Sequence, residues 1–452
     1  MMATNITKAP ILRAISIRGY AAAAGCPASK GIPVNGQPDY EIKTTVLPNK
    51  VVVASAENEA LISRVSILFR AGARNETPDN LGTTHTLRIC AGLSTHNASQ
   101  FAITRNIQEV GSSLTCSTDR EVVAYTLEGT RPVLEKTLPF LTEVATRQCF
   151  KPWEVSDNVP RLRLELATRP PQLRAVDLLH KAAYRSRGLG NSIYTAKHQL
   201  GKISSETLQH YVKQNFVANR AAVVGLGVDH QDLVRYAQSL QLEGGKADCE
   251  PADYRGGEIR SDKGGDVAHI AIAGKGGSFR NAKEALSFAV LQRALGAGSS
   301  IKYADENRGL LAKSLSKCSG PTSITALNIS YTDSGLFGAL ISTPCGDAKT
   351  VVKDVVDILK GGSIPDEDIA RGKAQLTAAV LHALESGSTA IEDIGNQAVL
   401  IGSVANACQI ANAISGLNSS DINNALKKIT SSKLSIASVG NLRCVPFLDE
   451  LV

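Results

Sequence analysis

The chain has 452 residues, 43% of them hydrophobic and 20% charged, with a formal net charge of +7. That composition is ordinary for a globular protein and leaves material for two to four domains with large cores. Aromatic residues make up only 4% and lysine and arginine form no block, which argues against a nucleic-acid-binding chain and for a basic globular protein. Nine scattered cysteines, odd in number and without a C-x-x-C pair, argue against a disulfide framework or zinc ribbon and for a reducing compartment. Most of them read as small buried apolar residues.

Residues 1–20 carry Lys8, Arg13 and Arg18 but no acid, and the first acidic residue is Asp39. Basic and apolar residues mixed with Ser and Thr form a mitochondrial transit-peptide pattern. Arg18-Gly19-Tyr20 before Ala21 suits a matrix cleavage point. Removing the segment lowers the net charge to about +4, so part of the basicity belongs to the address. Residues 21–39, rich in Ala, Gly and Pro, read as an irregular arm. No run of about twenty apolar residues occurs. The nearest, Ala398–Leu417, is interrupted by Ser403, Asn406, Gln409, Asn412 and Ser415 and reads as one small-residue packing helix. Any association with a membrane is expected to be peripheral, through partner subunits.

In chain order, Tyr40–Leu47 and Val51–Ser55 flank Pro48-Asn49-Lys50, a hairpin signal. Ser63–Phe69 alternates as a half-buried strand. A helix begins near Gly82, and a second is expected near Phe101–Val110. Strands follow at Ser113–Ser117 and Glu121–Leu127, then helices at Arg131–Arg147, Pro152–Ala167, Leu173–Ser186 and Ser204–Asn215. Strand Arg220–Gly225 and helix Gln231–Leu240 close the first half. Residues 243–260 hold glycine pairs, Pro251 and mixed charge and read as a linker.

The second half repeats the first at an offset of roughly 200–215 residues. Strand Val267–Gly274 echoes Ser63–Phe69, and helix Asn281–Leu295 echoes the one beginning near Gly82. Strands Ile324–Tyr331 and Leu336–Ser342 precede helices at Lys349–Leu359, Glu367–Glu385, Ala390–Ile401 and Ile422–Ile429. Strand Leu434–Gly440 echoes Arg220–Gly225. The pattern predicts an α+β fold of two homologous domains, 40–242 and 261–452, each a mainly antiparallel sheet packed with helices. The halves would clamp together like a clam shell.

The helix at Asn80–Cys90 carries the one constellation with chemistry in it. The H-x-x-E-H motif places two histidines one turn apart on one helix face, where both bind zinc, with a glutamate base beside them. Here His85 holds the first position, but Arg88 stands at the base and Ile89 at the second ligand. Arginine stays protonated and accepts nothing, and isoleucine has no lone pair. The expected assignment is therefore no catalytic residue, no metal ligand set and no cofactor site, with His85 a vestige.

The duplicated halves and the degraded Gly82–Ile89 motif resemble the pitrilysin/insulinase-type family, whose mitochondrial members include the matrix processing peptidase and the core subunits of the cytochrome b-c1 complex. The stretches Ala222–Gly227 (AVVGLG), Leu291–Gly298 (LQRALGAG), Asn328–Phe337 (NISYTDSGLF) and Ser438–Leu451 (SVGNLRCVPFLDEL) carry the likeness, which runs from about Tyr40 to Val452. The resemblance implies two metallopeptidase-like domains. It also implies a distal glutamate ligand, which falls on Glu165 at the family's spacing or, with any gap, on neighbours such as Arg163. In the non-catalytic processing subunit a long glycine-rich loop takes up presequences. The corresponding Leu295–Gly309 keeps Gly296 and Gly298 but then turns charged and bulky, which favours a core subunit.

For a core subunit the resemblance implies a structural role on the matrix side of the mitochondrial inner membrane. The implied partners are a homologous core protein 1, cytochrome b, cytochrome c1 and the Rieske protein. The alternatives are one subunit of a processing peptidase heterodimer whose partner supplies zinc, and a presequence-binding module without catalysis.

Other isolated signals are weaker. Gly274-Lys275-Gly276-Gly277 lacks the spacing and the Ser/Thr of a P-loop. Gly225–His230 starts like a dinucleotide fingerprint but ends on His230, so a strand end turning into a helix is expected. His85 and His96 share a face if the helix persists, yet would be about 16 Å apart, too far for one metal. His180, His210 and His382 fall in helical patterns and read as surface or packing residues.

Overall fold

The structure, a computed structural model, describes residues 41–58, 60–245, 250–296, 309–315, 318–361 and 363–451. The expected transit peptide 1–20, the arm 21–39 and most of the loop within Leu295–Gly309 lie outside the described residues.

In the first half, strands β1 (Ile42–Val46), β2 (Val52–Ala56), β3 (Ile62–Phe69), β4 (Ser113–Thr118), β5 (Val123–Thr130) and β6 (Ala221–Leu226) form a sheet in the order β1-β2-β6-β3-β5-β4. Only β2 and β6 pair in parallel. Lys50, at φ 70, turns the expected hairpin between β1 and β2. In the second half β7 (Gly257–Asp262), β8 (Val267–Lys275), β9 (Ser323–Ser330), β10 (Gly335–Pro344) and β11 (Ser435–Gly440) take the order β7-β11-β8-β10-β9, with β7 and β11 parallel. The strand orders of the two sheets correspond one for one from β2 onward, and β1 is an addition at one edge. This is the expected α+β duplication. The second parallel edge strand begins inside the stretch read as linker: Gly257–Arg260 belong to β7. Five of its six residues are half-buried, and charged Glu258, Arg260 and Asp262 alternate with a single apolar side chain, Ile259, so no apolar face or apolar run marked it.

Helices cover both faces of each sheet. In the first half α1 (Thr83–Ile89), α2 (Gln100–Glu109), α3 (Arg131–Thr146), α4 (Pro152–Asp157), α5 (Val159–Thr168), α6 (Pro171–Tyr184), α7 (Ser205–Asn215) and α8 (His230–Ser239) occur. The second half contributes α9 (Ala282–Leu295), α10 (Leu310–Leu315), α11 (Ala348–Lys360), α12 (Asp366–Glu385), α13 (Gly387–Leu400), α14 (Ala407–Ser415) and α15 (Ser419–Ser431). Side-chain alternation sorts the strands into two faces. Val65, Ile67 and Phe69 join Leu87, Leu134, Leu141, Leu208 and Leu233 in one core built from the first half's own helices. Leu68, Ala222, Val224 and Leu226 point the other way.

That other face is covered from across the molecule. Ala390, Ile391, Ile394 and Ala398 of α13 pack on Ala54, Ala56, Ala124 and Ala222. Reciprocally, Ala175, Val176, Leu179 and Ala183 of α6 pack on Ala271, Ala273 and Ala437 of the second sheet. The clam-shell halves are thus interlocked by an exchange of one helix each. The alanines on both sheet faces let the helices approach closely. At Gly395 a Cβ would lie 2.7 Å from Leu68 Cδ2, so a side chain at that helix position would have to displace the buried Leu68 side chain.

Four further expectations change. The His85 helix ends at Ile89, followed by a turn through Gly92 at φ 87, so His96 lies in a loop and shares no face with His85. Pro152–Ala167 breaks at Asn158, where Pro160 at the start of α5 disfavours continuous helix. Ala398–Leu417 is not one helix, because Gly402 at φ 82 separates α13 from α14. Among the described cysteines only Cys90 is buried; Cys408 and Cys444 are exposed and the rest half-buried. No helix among the described residues is long and apolar enough to cross a membrane.

Candidate functional site

Helix α1 is buried along nearly its whole length. Its N-terminus is held by Glu76, whose carboxylate accepts from the Gly82 N–H (2.8 Å), the Thr84 N–H (2.7 Å) and the Thr84 hydroxyl (2.6 Å). These bonds satisfy donors that a helix start leaves open. Burial pushes Glu76 up to about 7 against the pull of those three bonds. Gly82 enters the helix at φ 90, and a Cβ there would strike the Thr195 backbone at 2.6 Å.

His85 is fully buried. Its Nδ1 accepts from the Thr195 N–H at 3.1 Å, while the Thr195 hydroxyl donates to the Gly82 carbonyl at 3.0 Å. That assignment leaves the proton on Nε2, which donates to Glu165 Oε2 at 3.0 Å. Burial lowers the His85 pKa, outweighing its bond to Glu165, so the ring is neutral and the contact is a hydrogen bond, not an ion pair. Tyr194 meets the ring edge-on at 5.4 Å, and the Arg169 guanidinium lies 4.5 Å from the centre of the tyrosine ring.

The second Glu165 oxygen, Oε1, accepts from Arg88 Nη2 at 2.5 Å. Burial alone would raise the Glu165 carboxyl, but the His85 bond and the Arg88 charge hold it down at about 2. One carboxylate on α5 therefore bridges two side chains of α1. Ile89 is 8% exposed and presents no donor atom. Arg163, the alternative to Glu165, is exposed.

As a ligand set these residues do not fit zinc. One histidine remains, its Nε2 is already paired with Glu165, that carboxylate is committed to the Arg88 cation, and the second histidine position is hydrocarbon. No group of three or more His, Cys, Asp or Glu side chains that could hold a metal occurs among the described residues. Thr195, Tyr194, Arg169 and Glu76, which fix this arrangement, were not legible in the sequence, because none belongs to a motif and three come from loops or helix ends about a hundred residues away.

A second buried polar cluster ties the halves together. Arg74 donates to Glu121 (2.7 Å), to both oxygens of Asp333 (2.8 and 2.5 Å) and to the Glu250 carbonyl (2.6 Å). Glu121 also accepts from the Thr332 hydroxyl at 2.6 Å. Burial would lower the Arg74 pKa, but its bond to Asp333 and the Glu121 charge raise it above the usual value. His180, read as surface or packing, is fully buried and bonds Tyr331 across the halves at 2.8 Å. His210 and His382 are exposed.

Residues 51–197 match the model of the insulinase family, peptidase family M16, and residues 202–376 match the M16 inactive domain. The chain is 38% identical over 432 residues to cytochrome b-c1 complex subunit 2, mitochondrial, of Mus musculus, spanning 94% of each chain. The chain belongs to the M16 peptidase family. The human cytochrome b-c1 complex subunit 2 is 37% identical over 96% of this chain and 95% of its own. The probable mitochondrial-processing peptidase subunit alpha-1 of Arabidopsis thaliana is 28% identical, over 91% of this chain and 84% of its own. Within the M16 family the chain is thus more similar to these b-c1 subunits than to that processing subunit.

Proposed function

We propose that the chain is a non-catalytic structural core subunit of the mitochondrial ubiquinol–cytochrome c reductase (cytochrome b-c1) complex, supporting its assembly and stability. The likeness to cytochrome b-c1 complex subunit 2 over nearly the full length of both chains carries the reading. The site geometry supports it. Arg88 occupies the general-base position, Ile89 the second ligand position, and Glu165 is neutralised by Arg88 instead of a metal ion. The interlocked halves suit a scaffold. Two sheets, each roofed by the other half's helix, resist the opening that substrate entry to a cleft would need.

On this reading residues 1–20 address the chain to the mitochondrion, 40–242 and the segment from β7 at Gly257 to 452 are the two peptidase-like domains, and the chain sits on the matrix side of the inner membrane. Its partners are core protein 1, cytochrome b, cytochrome c1 and the Rieske protein, and it reaches the membrane through them. Obligate interfaces of this kind bury more than about 2,000 Å². The likeness to processing peptidase alpha subunits favours a second reading, one half of a presequence-processing heterodimer.

Native size and composition after extraction in mild detergent separate the two. Co-migration with cytochromes b and c1 and a second core protein, without stoichiometric zinc in this chain, is the expected result. A haem-free heterodimer of two such chains, with zinc on the partner, would overturn it.

A further inference from the structure

Arg88, Arg120, Arg169 and Arg174 share the ground around Glu165 and Asp177, between the His85 site and α6. Both carboxylates are already committed. Glu165 pairs with Arg88 at 2.5 Å. Asp177 accepts from Arg120 Nη2 at 2.6 Å through one oxygen and from the Ser192 hydroxyl at 2.6 Å through the other. Two guanidiniums remain. Arg169 lies 4.5 Å from the centre of the Tyr194 ring, and its nearest carboxylate oxygen is 3.6 Å away, the Asp177 oxygen that Ser192 already occupies. Its side chain is only 14% exposed, yet among the described residues it donates no hydrogen bond. Arg174, half-buried and one helical turn before Asp177 on α6, donates to a neutral acceptor, Ser261 Oγ of β7, at 3.0 Å. Burial, and after it the Arg169 charge, lower the Arg174 pKa against the pull of Asp177. A half-buried cation without a counter-charge loses hydration that nothing replaces.

We propose that Arg169 and Arg174 hold a doubly charged oxyanion of the phosphate class beside Asp177, where α6 meets β7. The two unmatched guanidiniums set the charge of the ligand. Each presents a planar fork of N–H donors, which suits an anion with several acceptor oxygens better than a chloride ion or a single carboxylate. Arg88 and Arg120 are held by their own carboxylates and take no part. Free phosphate and a phosphate monoester offer the same group to these donors. Arg174 is tied to Ser261 in the second half's edge strand, so the bound anion also strengthens the seam between the halves.

The test titrates the purified full-length chain calorimetrically with inorganic phosphate and with glycerol 3-phosphate, at an ionic strength fixed with chloride. The expected result is saturable binding and a thermal midpoint that rises with anion concentration. Arg169→Gln and Arg174→Gln should each weaken binding by about tenfold or more. Arg163→Gln, the same charge change at an exposed position of α5, should leave it unchanged. Tighter binding of the ester assigns the site to a phosphate monoester; equal or tighter binding of inorganic phosphate assigns it to the free ion. Circular dichroism checks that each variant folds, and if losing the Tyr194 contact unfolds Arg169→Gln, Arg174→Gln decides. Absence of saturable binding, undiminished binding by folded Arg174→Gln, or an equal loss in Arg163→Gln would overturn the proposal.

Discussion

Replacing Arg88 by methionine keeps an unbranched apolar stem in α1 and removes the cation bonded to Glu165 (Arg88→Met). The carboxyl is held at about 2 against an ordinary value of 4.5, a difference that would convert to ~3 kcal/mol if all of it were lost. His85 supplies part of the shift and stays. Glu165 is 32% and Arg88 23% exposed, so solvent screens the pair. About 1–2 kcal/mol of stability at neutral pH should disappear in the variant. Because the folded-state pKa is depressed, the wild-type advantage is fully present above about 4.5 and vanishes as the pH falls towards about 2. Urea unfolding of both proteins between pH 7 and the acid limit of folding measures this directly. Equal stability at pH 7, or a gap that widens on acidification, would refute the view that Arg88 stands in for a metal as the counter-charge of Glu165.

Other perturbations probe the rest of the frame. Arg74→Met leaves Glu121 and Asp333 buried without their cation and should cost about 3–5 kcal/mol in chemical denaturation; a loss under about 1 kcal/mol would mean that the cluster does not couple the halves. Gly395→Val drives a side chain into Leu68 beneath α13 and should destabilise by roughly 1–3 kcal/mol, read as a lowered thermal midpoint. Glu76 has a raised folded-state pKa, so its contribution is present below about 4.5 and declines as pH rises through about 7. Glu76→Gln should remove that slope from a stability–pH profile, and an unchanged slope would assign it elsewhere.

The duplication was legible because strands such as Ile62–Phe69 and Val267–Lys275 recur with the same order of helices around them. The degraded motif was legible because, by residue type alone, Arg88 supplies no base and Ile89 no ligand atom. What the sequence hid was tertiary. Helices α6 and α13 carry apolar faces that suit either sheet, and only the alanine-rich reverse faces of the strands decide where they dock. Strand β7 escaped because an edge strand of half-buried charged residues looks like a linker. The bridge from His85 through Glu165 to Arg88 joins residues 80 positions apart in sequence, and spacing alone left Glu165 and Arg163 as alternatives. The cysteines read as buried because the residue type favours burial, yet turn and edge positions left most of them partly or fully exposed.

The most direct test of the central claim is to deplete this chain in cells and measure, in the same samples, the amount of assembled cytochrome b-c1 complex and the rate of presequence cleavage of matrix precursors. A structural core subunit predicts loss of the assembled complex with precursor cleavage unchanged, and rescue by a His85→Ala variant that still folds. Unprocessed precursors accumulating while the assembled complex persists would contradict it.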